Sequence, residues 1–391
     1  MNFELTKQQR EAMDLTKKWW NSQYKQVWQI SGAAGTGKTT IVKFLIEEIG
    51  LLPDEVMFMA YVGKAALELS RKGTPAKTIH SSIYNLELVP KTDKKGNIIK
   101  LHGRDEMMIK FILKEKLPYK VKLIVVDEAA MVPENLALDL LSFGLPIITL
   151  GDRNQLDPIF GEPFFLNEPD VILTEPMRQA LDSPIIYLAH RAMNGKYIKI
   201  GNYGNDCLVI KKDMITTDMI NNSNVIICGR NRTRDDLNDH IRYDIKGYKS
   251  NEPVIGEKII CRQNNWNLEL MDGIFLINGM VGFIENIHKE TYTKDKKVKI
   301  DFRPEFSENL AFENIQIDYN YLISSFKDRQ HVKVFGANKF EYAYAITCHL
   351  SQGSQYDNVL IYDEYMGNRE SYQKWLYTAI TRASKQLVLA I

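Results

Sequence analysis

The segment Gly32-Ala33-Ala34-Gly35-Thr36-Gly37-Lys38-Thr39 matches G-x-x-x-x-G-K-[ST] in full, and it constrains the fold more than any other feature. Its glycines let the backbone wrap closely around an anion. Successive N–H groups, reinforced by the N-terminus of the following helix, then point at phosphates. Lys38 places a point charge near the β- and γ-phosphates of a nucleotide, and the Thr39 hydroxyl can ligate Mg2+. The flanks agree, because Val27-Trp28-Gln29-Ile30 reads as a strand and Thr40–Ile49 as a helix.

The rest of the chain supplies the α/β framework that such a loop needs. Apolar runs at Val56–Ala60, Leu123–Val126, Ile147–Leu150, Val225–Cys228, Val359–Tyr362 and Leu387–Ile391 read as buried strands. Most are followed by Gly, Asp or Ser and then by a helical pattern, as in Lys64–Arg71. Strands alternating with helices imply parallel sheets, in which ligands collect at the carboxyl ends of the strands. Leu123-Ile124-Val125-Val126-Asp127-Glu128 ends one strand on two acids. Asp127 would hold the Mg2+ shell, and Glu128 would orient or deprotonate an attacking water. The bland alternative for the acidic pair is a helix cap ahead of Met131–Leu141.

Composition adds bounds. A length of 391 residues allows roughly two to three domains. Fifty basic residues against 49 acidic ones leave a net charge of +1, which excludes no partner, since a nucleic-acid motor needs only a local basic groove. Cys207, Cys228, Cys261 and Cys348 form no C-x-x-C pair, so neither a zinc site nor a disulfide framework is expected. Met1–Arg10 has no secretory h-region, and no apolar run reaches the ~18–20 residues that span a bilayer. The expectation is a soluble cytoplasmic protein without membrane contact.

Two stretches break the α/β rhythm. Lys91–Lys116 carries eight Lys/Arg against four Asp/Glu, with Lys94-Lys95-Gly96-Asn97 as a hairpin tip. Pro253–Phe302 turns to short strands with Asp272-Gly273 and Asn278-Gly279 turns, suggesting an all-β insertion. The expected organisation is two α/β domains, each interrupted. The first comprises 1–85 and 117–180 around an insertion at 86–116. The second comprises 181–252 and 338–391 around an insertion at 253–337.

Taken in order, the motifs resemble superfamily 1 helicases of the 5′→3′, RecD-like and Dda-like branch, with the likeness running from Leu5 to Ala390. Leu5-Thr6-Lys7-Gln8-Gln9 is similar to the Q-motif, Gly32–Thr40 to motif I, and Asp127-Glu128-Ala129-Ala130-Met131 to motif II. Gly151-Asp152-Arg153-Asn154-Gln155-Leu156-Asp157-Pro158 looks like motif III, and Pro176-Met177-Arg178-Gln179 looks like motif IV. Ala345–Gly353 and Tyr377–Ala383 resemble motifs V and VI. The resemblance implies two RecA-like domains, the insertions being a β-hairpin wedge and an SH3-like subdomain. It also implies that Gln9 reads the adenine edge, that Gln155 senses the γ-phosphate, and that Arg178 and Arg382 meet its developing charge. Nucleotide contacts would extend over Gly32, Ala34, Gly35, Thr36, Gly37, Lys38, Thr39, Thr40 and Gly353, with Thr39 and Asp127 holding Mg2+. A cationic residue so distant from the loop in sequence would couple hydrolysis of ATP to closure of the two domains.

Strand contacts follow from the same resemblance: Lys64 in the Ia segment, Thr78, His80 and Ser81 in Ib, Pro158 in motif III, and Thr347, His349 and Ser351 in motif V, while Tyr61, where the Ia segment departs from the family, would stack on a base. Hydroxyl, imidazole and backbone N–H groups bind phosphates without reading sequence. Helix capping by Thr78 and Ser81, and core packing by Tyr61, are the structural alternatives. The sequence departs from the family pattern in three motifs: Tyr61 and Val62 replace proline and threonine, Ala130 replaces serine, and Leu350 replaces lysine. The expected activity is that of a monomeric motor that hydrolyses Mg-ATP, moves on single-stranded DNA and opens ss/ds junctions. Polarity rests on the resemblance alone, and backbone contacts leave RNA open as a substrate. A translocase that displaces proteins without processive unwinding, and an ATP-gated nucleic-acid-binding module, are the other readings. Glu128 and the two arginines argue against the last.

Overall fold

Thr6 and Gln9 start helix α1 (Lys7–Ser22) with a complete capping box, and Ala12, Met13, Thr16 and Trp19 form its buried stripe. The computed structural model describes all residues except 1–4, 72, 93–95, 99, 102–103, 106, 158–163, 176–181, 272–273 and 290–295. The chain divides into two units. Unit 1 takes the described residues of Met1–Arg153 and Asp157–Glu175, and unit 2 takes Asn154–Leu156 and the described residues of Pro176–Ile391.

Unit 1 is built on strands β1 (Val27–Gly32), β2 (Val56–Ala60) and β3 (Ala76–Thr78). Helices α2 (Lys38–Glu48) and α3 (Gly63–Arg71) connect them, and α4 (Ile79–Ile83) follows β3. Next come β4 (Tyr84–Pro90), β5 (Lys100–Leu101), β6 (Arg104–Asp105), β7 (Met107–Leu113), β8 (Leu123–Asp127), helix α5 (Glu134–Leu141), β9 (Ile147–Gly151) and β10 (Val171–Leu173). Six of the strands form a parallel sheet in the order β10-β1-β9-β8-β2-β3. The central strands β8 and β9 are buried almost throughout, as a sheet covered on both faces requires. One covering layer packs Trp19, Trp28, Ile41 and Leu45 together; the other packs Ile79, Ile83, Leu136 and Leu140. β4 and β7 pair antiparallel from Tyr84↔Leu113 to Pro90↔Met107, forming a two-stranded arm whose first strand precedes the basic stretch and whose second lies in it. Lys94 and Lys95 lie outside the described residues, as do Asp272 and Gly273.

Unit 2 carries β11 (Gly201–Tyr203), β12 (Cys207–Ile210), β13 (Val225–Cys228), β14 (Lys258–Cys261), β15 (Asn265–Met271), β16 (Ile274–Leu276) and β17 (Val281–His288). It continues with β18 (Lys297–Pro304), β19 (Phe312–Asp318), β20 (Phe340–Tyr342), β21 (Ala345–Thr347), β22 (Tyr356–Tyr362) and β23 (Ala383–Ala390). One sheet has the order β11-β12-β23-β22-β13-β21, parallel except for the β11–β12 edge pair. The chain therefore has the expected α/β class, with two RecA-like domains. The insertion is a separate antiparallel sheet, β19-β18-β17-β14-β20, around Phe302, Phe312 and Phe340. β20 pairs with β14 through Ile259↔Tyr342, so the insertion extends past the expected boundary at 337. Phe340-Glu341-Tyr342 is too short and mixed a run for sequence to assign it to one sheet or the other.

Candidate active site

Leaving β1, the chain turns into α2 with Gly37 as N-cap at φ 75° and no side-chain capping bond. Gly35 also has a positive φ of 79°. Gly32 is needed for another reason: a Cβ there would sit 2.6 Å from Thr36 Oγ1 and 3.0 Å from Leu173 Cβ. The loop braces itself, since Thr36 Oγ1 donates to the Ala33 carbonyl at 2.8 Å. Lys38 Nζ donates to the Gly32 and Ala33 carbonyls at 2.5 and 3.3 Å, which keeps the ammonium at the mouth of the loop. Ala34, Thr39 and Thr40 are half-buried beside it. A glycine-rich cradle, an uncapped helix start and an internal ammonium together fit a polyphosphate.

Gln9 is tied into the phosphate loop. Its Nε2 donates to the Thr36 carbonyl at 2.8 Å, its Oε1 accepts from Thr6 N–H at 2.9 Å, and the residue is 1% exposed. The amide thus joins the helix cap to the loop, and Gln9 shapes the phosphate cradle.

Sheet register sets the other groups. Ser31 pairs with Gly151, and Ala60 pairs with both Asp127 and Thr78. The loop, the acidic pair and the start of α4 thus all lie on the carboxyl edge of one sheet. Asp127 Oδ1 accepts from Glu128 N–H at 2.9 Å. Glu128 has φ 51°, a left-handed conformation that costs a non-glycine residue of the order of 1 kcal/mol and is typical of functional turns. It precedes a short 3-10 turn, Ala129–Met131, without making a side-chain cap.

Gln155 and Arg382 both belong to unit 2 and are bonded to each other, Arg382 NH2 donating to Gln155 Oε1 at 3.3 Å. Arg382 also donates to the Thr378 and Ser354 carbonyls at 3.1 and 3.2 Å and is 4% exposed. Gly353 precedes Ser354 with φ 70°. Arg178 and Pro158 lie outside the described residues.

Among the expected strand contacts, Thr78 N-caps α4, its Oγ1 accepting from Ser81 N–H at 3.1 Å. Ser81 Oγ returns a bond to the Thr78 carbonyl at 3.0 Å. The capping alternative is realised for this pair, and any strand contact is additional to it. His80 is half-buried among Tyr61, Tyr84 and Phe111, with ring centroids 6.4, 5.7 and 5.5 Å away, and burial pushes its pKa down. Tyr61 is half-buried and packs on the core beneath α5, while Lys64 is half-buried in α3. Thr347 ends β21 at 6% exposure, and half-buried His349 is pushed down in pKa by burial. Ser351 is corrected: it is fully buried and its hydroxyl donates to the Cys348 carbonyl at 2.7 Å, closing the short helix it ends.

Comparison with known proteins agrees with this geometry. Residues 18–161 match the AAA domain model, and residues 342–390 match the UvrD-like helicase C-terminal domain. The ATP-dependent RecD2 DNA helicase of Deinococcus radiodurans is 25% identical over 386 residues, covering 90% of this chain and 45% of that protein. The ATP-dependent DNA helicase Dda of Enterobacteria phage T4 is 27% identical over 334 residues, covering 76% of this chain and 72% of its own. Bacteroides Pif1 bound to ssDNA shares the fold, with a TM-score of 0.55 at 19% identity over 100% of this chain and 93% of the other. The chain is thus similar to superfamily 1 helicases of RecD and Dda type. It spans less than half the length of its RecD2 relative.

Several anchoring groups were not legible in the sequence. Lys114 was counted with the basic stretch, yet its Nζ donates to the Ser82 carbonyl at 2.8 Å, and burial lowers its pKa. Tyr84 at the base of the arm donates to Asp139 of α5. Gln352 and Thr378 bind the main chain of Leu156. The motif strings containing the last two were visible, but their partners were not.

Proposed function

We propose that the chain is a Mg-ATP-driven DNA helicase that moves 5′→3′ on single-stranded DNA and opens ss/ds junctions. One observation carries the reading: a single carboxyl sheet edge holds the Gly32–Thr39 loop, the Asp127–Glu128 pair and, in register through Ala60, Thr78. That edge joins nucleotide chemistry to the segment expected to touch a strand. Lys38 binds the β- and γ-phosphates, and Thr39 and Asp127 would hold Mg2+, which supplies charge neutralisation when bound. Glu128 takes a proton from the attacking water, while Gln155 with Arg178 and Arg382 responds to charge on the γ-phosphate. DNA as substrate is supported by the names of the RecD2 and Dda relatives and by the Pif1 complex with ssDNA.

The β4–β7 arm acts as the wedge, and the antiparallel insertion closes over the strand. The motor works as a monomer in the cytoplasm of a bacterial or phage-infected cell. Among the described residues, no helix is long and apolar enough to cross a membrane.

The test is steady-state ATP hydrolysis with and without single-stranded DNA, together with unwinding of 5′- and 3′-tailed duplexes. Lys38→Ala and Glu128→Gln should each lower stimulated hydrolysis by about a hundredfold or more, with Glu128→Gln retaining nucleotide binding. Deleting residues 94–97 should abolish unwinding and spare stimulated hydrolysis. Absence of DNA stimulation, with Lys38→Ala equal to wild type, would refute the motor.

A further inference from the structure

The chain leaves unit 1 at Arg153, contributes Asn154–Leu156 to unit 2, and returns at Asp157. Both main-chain groups of Leu156 are held there. Its N–H donates to Thr378 Oγ1 at 2.9 Å, and its carbonyl accepts from Gln352 Nε2 at 2.8 Å. Leu156, Thr378 and Gln352 are 8%, 0% and 6% exposed, so water does not substitute for these bonds. The Thr378 hydroxyl is oriented, because it donates to the Lys374 carbonyl at 2.7 Å and so turns a lone pair toward Leu156. The carbonyl of the same residue accepts from Arg382 Nε at 3.1 Å. Thr378 therefore touches both sides of the Gln155–Arg382 bond: Arg382 directly, and Gln155 through the next peptide.

We infer that Thr378 and Gln352 are positioning residues that clamp the Leu156 peptide and thereby keep Gln155 beside Arg382, so that the two answer a γ-phosphate as one pair. The inference deepens the ATPase reading and rests on it. Neither residue acts on nucleotide; each acts through Leu156. A methyl in place of the Thr378 hydroxyl leaves the Leu156 N–H without its acceptor, whereas serine keeps it.

The experiment uses the full chain, oligo-dT and ATP. Thr378→Val should lower kcat for stimulated hydrolysis about tenfold while KM for ATP stays within about twofold, and Thr378→Ser should restore kcat. Thr378→Val combined with Gln155→Ala should be no slower than Gln155→Ala alone, because both changes break one unit. Gln352→Met, which keeps the volume and removes the donor, should show the same non-additivity and decides the matter if Thr378→Val does not fold. Hydrogen exchange at the Leu156 amide, slow in wild type and fast in Thr378→Val, reads the clamp without activity. An active wild type in which Thr378→Val keeps its kcat, or in which the two losses multiply, overturns the clamp alone. A wild type without stimulated hydrolysis overturns the ATPase reading, and this proposal with it.

Discussion

Arg242 and Glu257 form an ion pair at the base of the β insertion, with side-chain exposures of 1% and 0%. Nε lies 2.5 Å from Oε1 and NH2 3.2 Å from Oε2. Oε2 also accepts from Val254 N–H at 2.8 Å, NH2 donates to the Glu252 carbonyl at 3.0 Å, and the Tyr342 ring lies 3.9 Å from the guanidinium carbon. Arg242 stands in Ile241–Ile245, after the helix Asn231–His240, whereas Glu257 leads into β14 and Tyr342 lies in β20. The pair thus ties the insertion to the α/β part of its own unit. Glu257→Gln keeps the volume but leaves the cation opposite a neutral amide. Removing one partner of a buried pair costs about 3–5 kcal/mol, and because the glutamine oxygen retains one bond, about 3 kcal/mol is expected. At about 2–4 °C per kcal/mol for a unit of this size, the melting temperature should fall by roughly 6–12 °C. Urea unfolding followed by far-UV circular dichroism and by tryptophan fluorescence measures the loss for each unit. Arg242→Met with Glu257→Leu removes both charges and should lie within about 1 kcal/mol of wild type. A single variant that lost less than about 1 kcal/mol, as an exposed pair would, refutes the reasoning.

Two further outcomes follow from the site. Gly32→Ala puts a methyl 2.6 Å from Thr36 Oγ1, so overpacking should cost about 1–3 kcal/mol and calorimetry should show at least about tenfold weaker nucleotide binding; unchanged melting and affinity would contradict the cradle. Burial lowers the pKa of His80 and of His349 below 6.5, so both favour the neutral form when folded. Their stability contribution is full above pH 6.5 and is lost as the pH falls through their folded values, so melting temperature should drop on acidification, less steeply in His80→Gln/His349→Gln. Equal slopes would place both rings in contact with solvent.

The α/β framework was legible because parallel strands buried on both faces must be continuous apolar runs, as Leu123–Val126 and Ile147–Leu150 are. The short edge strands β3 and β10 went unread, since three residues carry too little pattern. Thr78 and Ser81 were legible as alternatives only, because a hydroxyl at a helix start looks alike whether it caps or binds.

The phosphate loop is the part that sequence alone determined. Its chemistry resides in backbone geometry, and glycine at 35 and 37 supplies the positive φ angles locally. Tertiary structure decided which side chains are already committed. Gln9 spends its amide on the loop 27 residues away, and Leu156 meets Gln352 and Thr378 at separations of 196 and 222 residues. Such partners are chosen by packing: burial removes water as an alternative, and each donor must take the acceptor that the fold brings to it.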